Sequence, residues 1–133
     1  MAGETDLKKM LETLSPELMD GEFVFVTFAD AKYGDRQELA PVVTVSETEG
    51  LTMVITRPIA DAHGIPYESV FSGITLKVHS SLEAVGLTAA FATKLTAHGI
   101  SANVVAGFYH DHLFVQSHDA QRAIEALHEL SEQ

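Results

Sequence analysis

His79-Ser80-Ser81-Leu82-Glu83-Ala84-Val85-Gly86-Leu87-Thr88 opens the stretch 79–117, whose reading decides the fold, and Phe108-Tyr109-His110-Asp111-His112-Leu113-Phe114-Val115 nearly closes it. The run joins a strand, a glycine-bearing helix start, an amphipathic helix and a tight polar hairpin without a break. Leu87, Ala90, Phe91 and Leu95 recur at helical spacing, and His98-Gly99 supplies a C-terminal stop. Val104–Tyr109 and Leu113–Gln116 read as strands of a hairpin around His110-Asp111-His112. The helix start offers backbone N–H groups, and the hairpin offers an acid between two histidines. This pairing suits a small-ligand sensor better than an enzyme.

Outward from this core the pattern continues. Val70–Val78 reads as the preceding strand, with Gly73 a candidate bulge, and Ala120, Ala123, Ile124, Leu127 and Leu130 mark a last amphipathic helix. Toward the N-terminus, Leu7, Met10, Leu11 and Leu14 share one helical face, which Thr5 or Asp6 can cap. Ser15-Pro16 marks its end or a fresh turn reaching Gly21. Phe23–Phe28 reads as a strand buried on both faces. Asp30–Ala40 is polar and predicts a solvated loop in which Tyr33-Gly34-Asp35-Arg36 is a lid, a partner contact or simply mobile chain. Val42–Val45 and Leu51–Thr56 form a second predicted hairpin, and Pro58 opens a short helix closed by Gly64. Ala62-His63-Gly64-Ile65 recurs as Ala97-His98-Gly99-Ile100. The echo has two readings: a duplicated module, or two independent glycine caps.

Composition narrows the function. A chain of 133 residues, 46% hydrophobic and 20% charged, can bury a core as a soluble globular protein. Its net charge of −11 repels nucleic acid and anionic membrane surfaces, so neither is an expected partner. With no cysteine, disulfides, thiolate catalysis and sulfur-ligated zinc are excluded, which fits a cytoplasmic location. Met1-Ala2-Gly3-Glu4-Thr5-Asp6-Leu7 lacks the layout of a signal peptide, and no apolar run reaches the ~18 residues of a membrane span.

Gly86 is the first candidate site residue. Without a Cβ it lets a ligand approach the N–H groups of Leu87 and Thr88, where the helix dipole favours a carboxylate even in an acidic protein. The plainer reading is a helix start that needs only flexibility. The hairpin is the second candidate. On a strand, His110 and His112 would share one face and Asp111 the other; if His110-Asp111 is the turn, the three diverge. His110, His112 and the later His118 raise the question of a metal, but structural zinc usually takes four ligands and catalytic zinc three plus water. His118-Asp119 is better read as the opening of the last helix. There is no G-x-S-x-G elbow, glycine-rich phosphate loop or cysteine nucleophile.

Across residues 70–130 the order strand, helix, strand, strand, helix, with a glycine before the first helix, resembles an ACT domain. Val85-Gly86-Leu87-Thr88-Ala89-Ala90, His98-Gly99-Ile100-Ser101-Ala102-Asn103-Val104 and Tyr109-His110-Asp111-His112-Leu113-Phe114-Val115 resemble, more closely, small free-standing proteins with two tandem ACT-like modules. The aspartate kinase regulatory region is a more distant relative. The resemblance implies an α+β, ferredoxin-like fold in duplicate, with βαββαβ modules over residues 1–68 and 69–133 that interleave. It also implies binding of small ligands, most often amino acids, and assembly as a homodimer. Carried over by position, the ligand-binding residues are Gly86, Leu87, Thr88, Asn103 and Asp111. Asp30–Ala40 departs from the pattern where a first helix is expected, which argues against a pocket in that half. An ACT module also needs a fourth strand, and Phe23–Phe28 is expected to supply it to the second module.

The leading expectation is a regulatory amino-acid-binding protein with no catalytic residues, metal or cofactor. A metal-dependent enzyme using the His110/His112 hairpin and a structural dimerisation module are the alternatives.

Overall fold

A computed structural model describes residues 7–77 and 86–131. The predicted cap at Thr5 or Asp6, the strand end at Val78 and the stretch His79–Val85 lie outside the described residues. The chain divides into two compact units. One takes in the described parts of Met1–Asp20 and Ser72–Gln133, and the other is Gly21–Phe71.

The first unit begins with α1 (Leu7–Glu12) and a short strand β1 (Pro16–Leu18). It continues with β5 (Phe71–Leu76, of which Phe71 belongs to the other unit), α3 (Leu87–Ala97), β6 (Ala102–Ala106), β7 (Asp111–Gln116) and α4 (Ala120–Ser131). The strands lie in the order β1-β5-β7-β6. β6 and β7 pair antiparallel from Ala102↔Val115 to Ala106↔Asp111. Side-chain contacts from Ser72 to Ser117 and from Thr75 to His112 run in opposite senses along β5 and β7, so these are antiparallel too. The predicted apolar stripes of α3 and α4 meet in one core, where Phe91, Leu95, Ala123 and Leu127 pack with Ile74, Leu76, Leu113 and Val115 of the sheet. Burying a side chain of this size contributes about 1.5–3 kcal/mol, so these two helices bind the unit together.

Two expectations are corrected here. The strand that completes this unit is β1, not Phe23–Phe28: Pro16, Glu17 and Leu18 pair with Leu76, Thr75 and Ile74. Pro16 has no N–H to give to a ladder, which an outer strand tolerates. Gly73 is also no bulge on that side. Its carbonyl accepts the Met19 N–H at 2.8 Å, in step with the β1 register. A Cβ there would sit 2.5 Å from the Met19 sulfur, so the glycine makes room for Met19.

The unit Gly21–Phe71 holds β2 (Phe23–Phe28), β3 (Val43–Glu47), β4 (Gly50–Thr56) and α2 (Arg57–Ala62). β4 pairs antiparallel with both β3 and β2, and Phe23 pairs with Phe71. Val24 and Val26 of β2 face a core with Leu51, Met53, Ile55 and Ala60. The other β2 face carries Phe25 and the exposed Thr27, so burial on both faces is incomplete. Asp30–Ala40 is not merely solvated chain. Gln37–Leu39 forms a 3-10 turn, Leu39 is fully buried, and the Arg36 guanidinium lies 4.2 Å above the Phe28 ring. Arg36 and Ala40 both take left-handed backbone at φ 61° and 49°, which the burial of Leu39 between them helps to hold.

Candidate functional site

α3 begins at Gly86, whose φ of 99° lies where side chains are disfavoured. A Cβ would stand 3.2 Å from Cδ2 of Leu7, so close packing against α1 gives this glycine a structural role as well. Among the described residues no side chain caps the helix start. Leu87 points into the core at 3% exposure, while Thr88 is exposed. Any contact from Leu87 is therefore through its backbone.

The hairpin differs from the expected one. Its loop is 107–110, closed by a Gly107 N–H that donates to the His110 carbonyl at 2.9 Å. Asp111 and His112 already belong to β7, opposite Ala106 and Val105, and so project to opposite faces. Phe108 and Tyr109 stand out at the tip, their rings 5.1 Å apart edge to face. Gly107 leaves space that a side chain would fill: a Cβ would approach the His110 carbonyl oxygen to 2.7 Å and His112 Nε2 to 3.4 Å.

Electrostatics set this corner apart. Burial raises the Asp111 carboxyl above its ordinary range, against the opposing pull of His112 and His110. Burial also lowers His112, His110 adds to the effect, and Asp111 counters it. The His112 Nδ1 lies 3.1 Å from Thr75 Oγ1, a β5 partner that local sequence could not reveal. His110 Nδ1 is buried without a hydrogen-bond partner among the described residues. A buried ring nitrogen in that state is costly and leaves unused hydrogen-bonding capacity.

Topology brings two of the three predicted groups to one end of the unit. β5 runs toward the start of α3, α3 runs back, and β6 returns, so Ala106 and its partner Asp111 lie at the end where Gly86 begins the helix. Asn103 is not there. It pairs with Phe114, three positions or about 10 Å along the hairpin from Asp111, and its amide donates to the Phe114 carbonyl at 3.1 Å. His118 and Asp119 do open the last helix, through a 3-10 turn (Ser117–Asp119), and Asp119 pairs with Arg122 at 2.7 Å. Among the described residues no three His, Asp or Glu side chains converge to hold a metal ion. Among them, too, no helix is long and apolar enough to cross a membrane.

Comparison with known proteins agrees with this architecture. An ACT domain model matches residues 2–72, and a second ACT domain model matches residues 68–129. The chain belongs to the ACT domain family. ACT domains are typically regulatory ligand-binding modules, and this chain carries two in tandem. A Vibrio cholerae protein of unknown function, described as a possible transport protein, is 52% identical, with a TM-score of 0.86 over 96% of this chain and 97% of that one. The ligand-free regulatory subunit of aspartate kinase from Thermus thermophilus shares the fold at 9% identity, with a TM-score of 0.64 over 89% and 98% of the two chains. A protein from Agrobacterium tumefaciens does so at 17% identity, with a TM-score of 0.69 over 89% of each. No curated protein matches the sequence.

Proposed function

We propose that this chain is a regulatory protein that binds a free amino acid and catalyses no reaction itself. The observation that carries the reading is the juxtaposition at one end of the first unit. There an α3 start that no side chain of the described residues caps lies at the same end as a partly buried carboxylate whose ionisation burial disfavours. The ligand carboxylate meets the N–H groups around Gly86, Leu87 and Thr88, where the helix terminus supplies donors without a basic side chain. The ligand ammonium pairs with Asp111 and thereby offsets the cost of burying that charge. Asn103 supports the site from a distance, its amide hydrogen bond to the Phe114 carbonyl holding the hairpin in register. The family supports the class of ligand, and each of the two compact units forms one such domain. On this reading the protein works in the cytoplasm as a homodimer, since a two-fold pair is the commonest closed assembly.

A thermal-denaturation screen against the twenty amino acids tests the proposal. A ligand at 100 times its Kd adds about 2.7 kcal/mol of stability, which is easily seen as a raised midpoint. If none of the twenty shifts the midpoint, the amino-acid reading fails.

A further inference from the structure

The unit Gly21–Phe71 contains a cavity of about 500 Å³ between residues 25–27 of β2, residues 66–69 after α2, and Phe71. Loss of the expected first helix argued against a pocket in this half, yet the volume is within the range of small-molecule sites. Phe25 and Phe71 form one wall, with ring centroids 5.0 Å apart and planes at 64°. The opposite wall is held in place. The Tyr67 hydroxyl accepts from Arg57 Nε at 3.1 Å and donates to Asp61 at 2.8 Å, while Arg57 Nη1 donates to Glu22 at 3.0 Å. These bonds tie the segment bearing residues 66–69 to α2 and to the start of β2. The wall is therefore set before a ligand arrives, which limits the ordering cost of binding.

The lining chemistry selects the ligand. Among the described residues Glu68 is the one charged residue lining the cavity, and Thr27 and Ser69 add hydroxyls. No lysine or arginine among the described residues lines it, and the Arg57 guanidinium is committed to Glu22 and Tyr67. Aromatic rings and a carboxylate attract an organic cation, and the chain's charge of −11 concentrates such cations near its surface. A ligand carboxylate would find no charged donor there and would oppose Glu68.

We infer that this cavity is a second binding site, for an arylalkyl amine: a flat apolar ring carrying a protonated amine and no carboxylate. The ring packs between Phe25, Phe71 and Tyr67, and the ammonium pairs with Glu68. The site is separate from the one proposed for amino acids, and it does not depend on that proposal.

Titration calorimetry with tryptamine, tryptophan and indole-3-propionate tests the inference on the full chain. Tryptamine is expected to bind at least tenfold tighter than either acid. Glu68→Gln, at an exposed loop position that tolerates substitution, is expected to weaken tryptamine at least tenfold while leaving the thermal midpoint unchanged. Thr27→Trp, which fills the cavity from an exposed strand position, is expected to abolish binding. Three results overturn the inference: binding of tryptophan or indole-3-propionate as tight as that of tryptamine, undiminished affinity in Glu68→Gln, or retained binding in a folded Thr27→Trp variant. Absence of tryptamine binding to the wild-type chain at millimolar concentration overturns it as well.

Discussion

Gly107→Ala is the sharpest test of the hairpin that positions Asp111. The new Cβ would stand 2.7 Å from the His110 carbonyl oxygen, well inside ordinary carbon–oxygen contact, and 3.4 Å from His112 Nε2. The clash is with backbone, so no rotamer change relieves it, and the loop has to open. Opening stretches the 2.9 Å bond from the Gly107 N–H to that same carbonyl. The lost hydrogen bond accounts for about 0.5–1.5 kcal/mol and the overlap for about 1–3 kcal/mol. Alanine recovers about 0.4–1 kcal/mol by restricting the unfolded chain. The net expectation is a loss of about 0.5–4 kcal/mol, read as a lower urea midpoint with an unchanged slope. Because the loop leads directly into Asp111, affinity for the amino-acid ligand should fall as well. A variant within 0.5 kcal/mol of wild type would refute the tight-loop argument and the placement of Asp111 that rests on it.

Four further outcomes are expected, three of them from the same site. Asp111→Ala should weaken the best amino-acid ligand by about 10–150-fold in calorimetry, the worth of one charge-assisted hydrogen bond, and equal affinity in a folded variant would remove Asp111 from the site. Burial raises Asp111 above its ordinary 3.8 in the folded chain, so the folded state holds the proton longer and stability drops as pH rises through that raised value. Ligand affinity should rise over the same window, because the ammonium needs the ionised carboxylate; Asp111→Asn should flatten both profiles in denaturation and binding measured against pH. His112 has the opposite sign: its folded value lies below 6.5, so the unfolded chain takes up the proton first, and stability falls as pH drops below 6.5, an effect that His112→Gln should remove. Light scattering at high micromolar concentration should give the mass of a dimer, and a monomer there would refute the assembly.

The elements legible in the sequence are those whose reasons are local. α3 and α4 show themselves by spacing, because Leu87, Phe91 and Leu95, and Ala123, Leu127 and Leu130, are the residues that reach the core. Gly86 and Gly99 announce themselves because both need positive φ. What escaped has non-local causes. β1 is three residues long and begins with Pro16, which reads as a break until β5 lies beside it, donating Lys77 N–H to the Ser15 carbonyl at 3.0 Å. Leu39 is a single apolar residue in a polar run, so no periodicity marks its burial. Thr75 stands 37 positions from His112, and the cavity joins residues 25–27 to 66–69 and Phe71, so neither grouping has a sequence pattern.

Of the two readings of the repeated tetrapeptide, the structure favours two independent glycine caps. His63 and His98 take nearly the same backbone, at φ −98° and −94°, followed by Gly64 and Gly99 at 64° and 72°. Ile65 N–H bonds to the Ala60 carbonyl at 2.9 Å and Ile100 N–H to the Leu95 carbonyl at 3.0 Å, five residues back in each case. These are two copies of one helix-ending motif, with an apolar residue after the glycine. They do not occupy equivalent places. α2 follows the hairpin of its unit and precedes Phe71, as α4 follows the hairpin of its own, whereas α3 precedes β6 and β7. The counterpart of α2 is therefore α4, and the position of α3 is taken in the other unit by the 3-10 turn and its flanking loop. In that alignment Phe71 beside Phe23 corresponds to β1 beside β5, the closing position of each unit. The duplication is real, but its register is written in the order of strands and helices, and the tetrapeptide echo records only that alanine, histidine, glycine and isoleucine end a helix well.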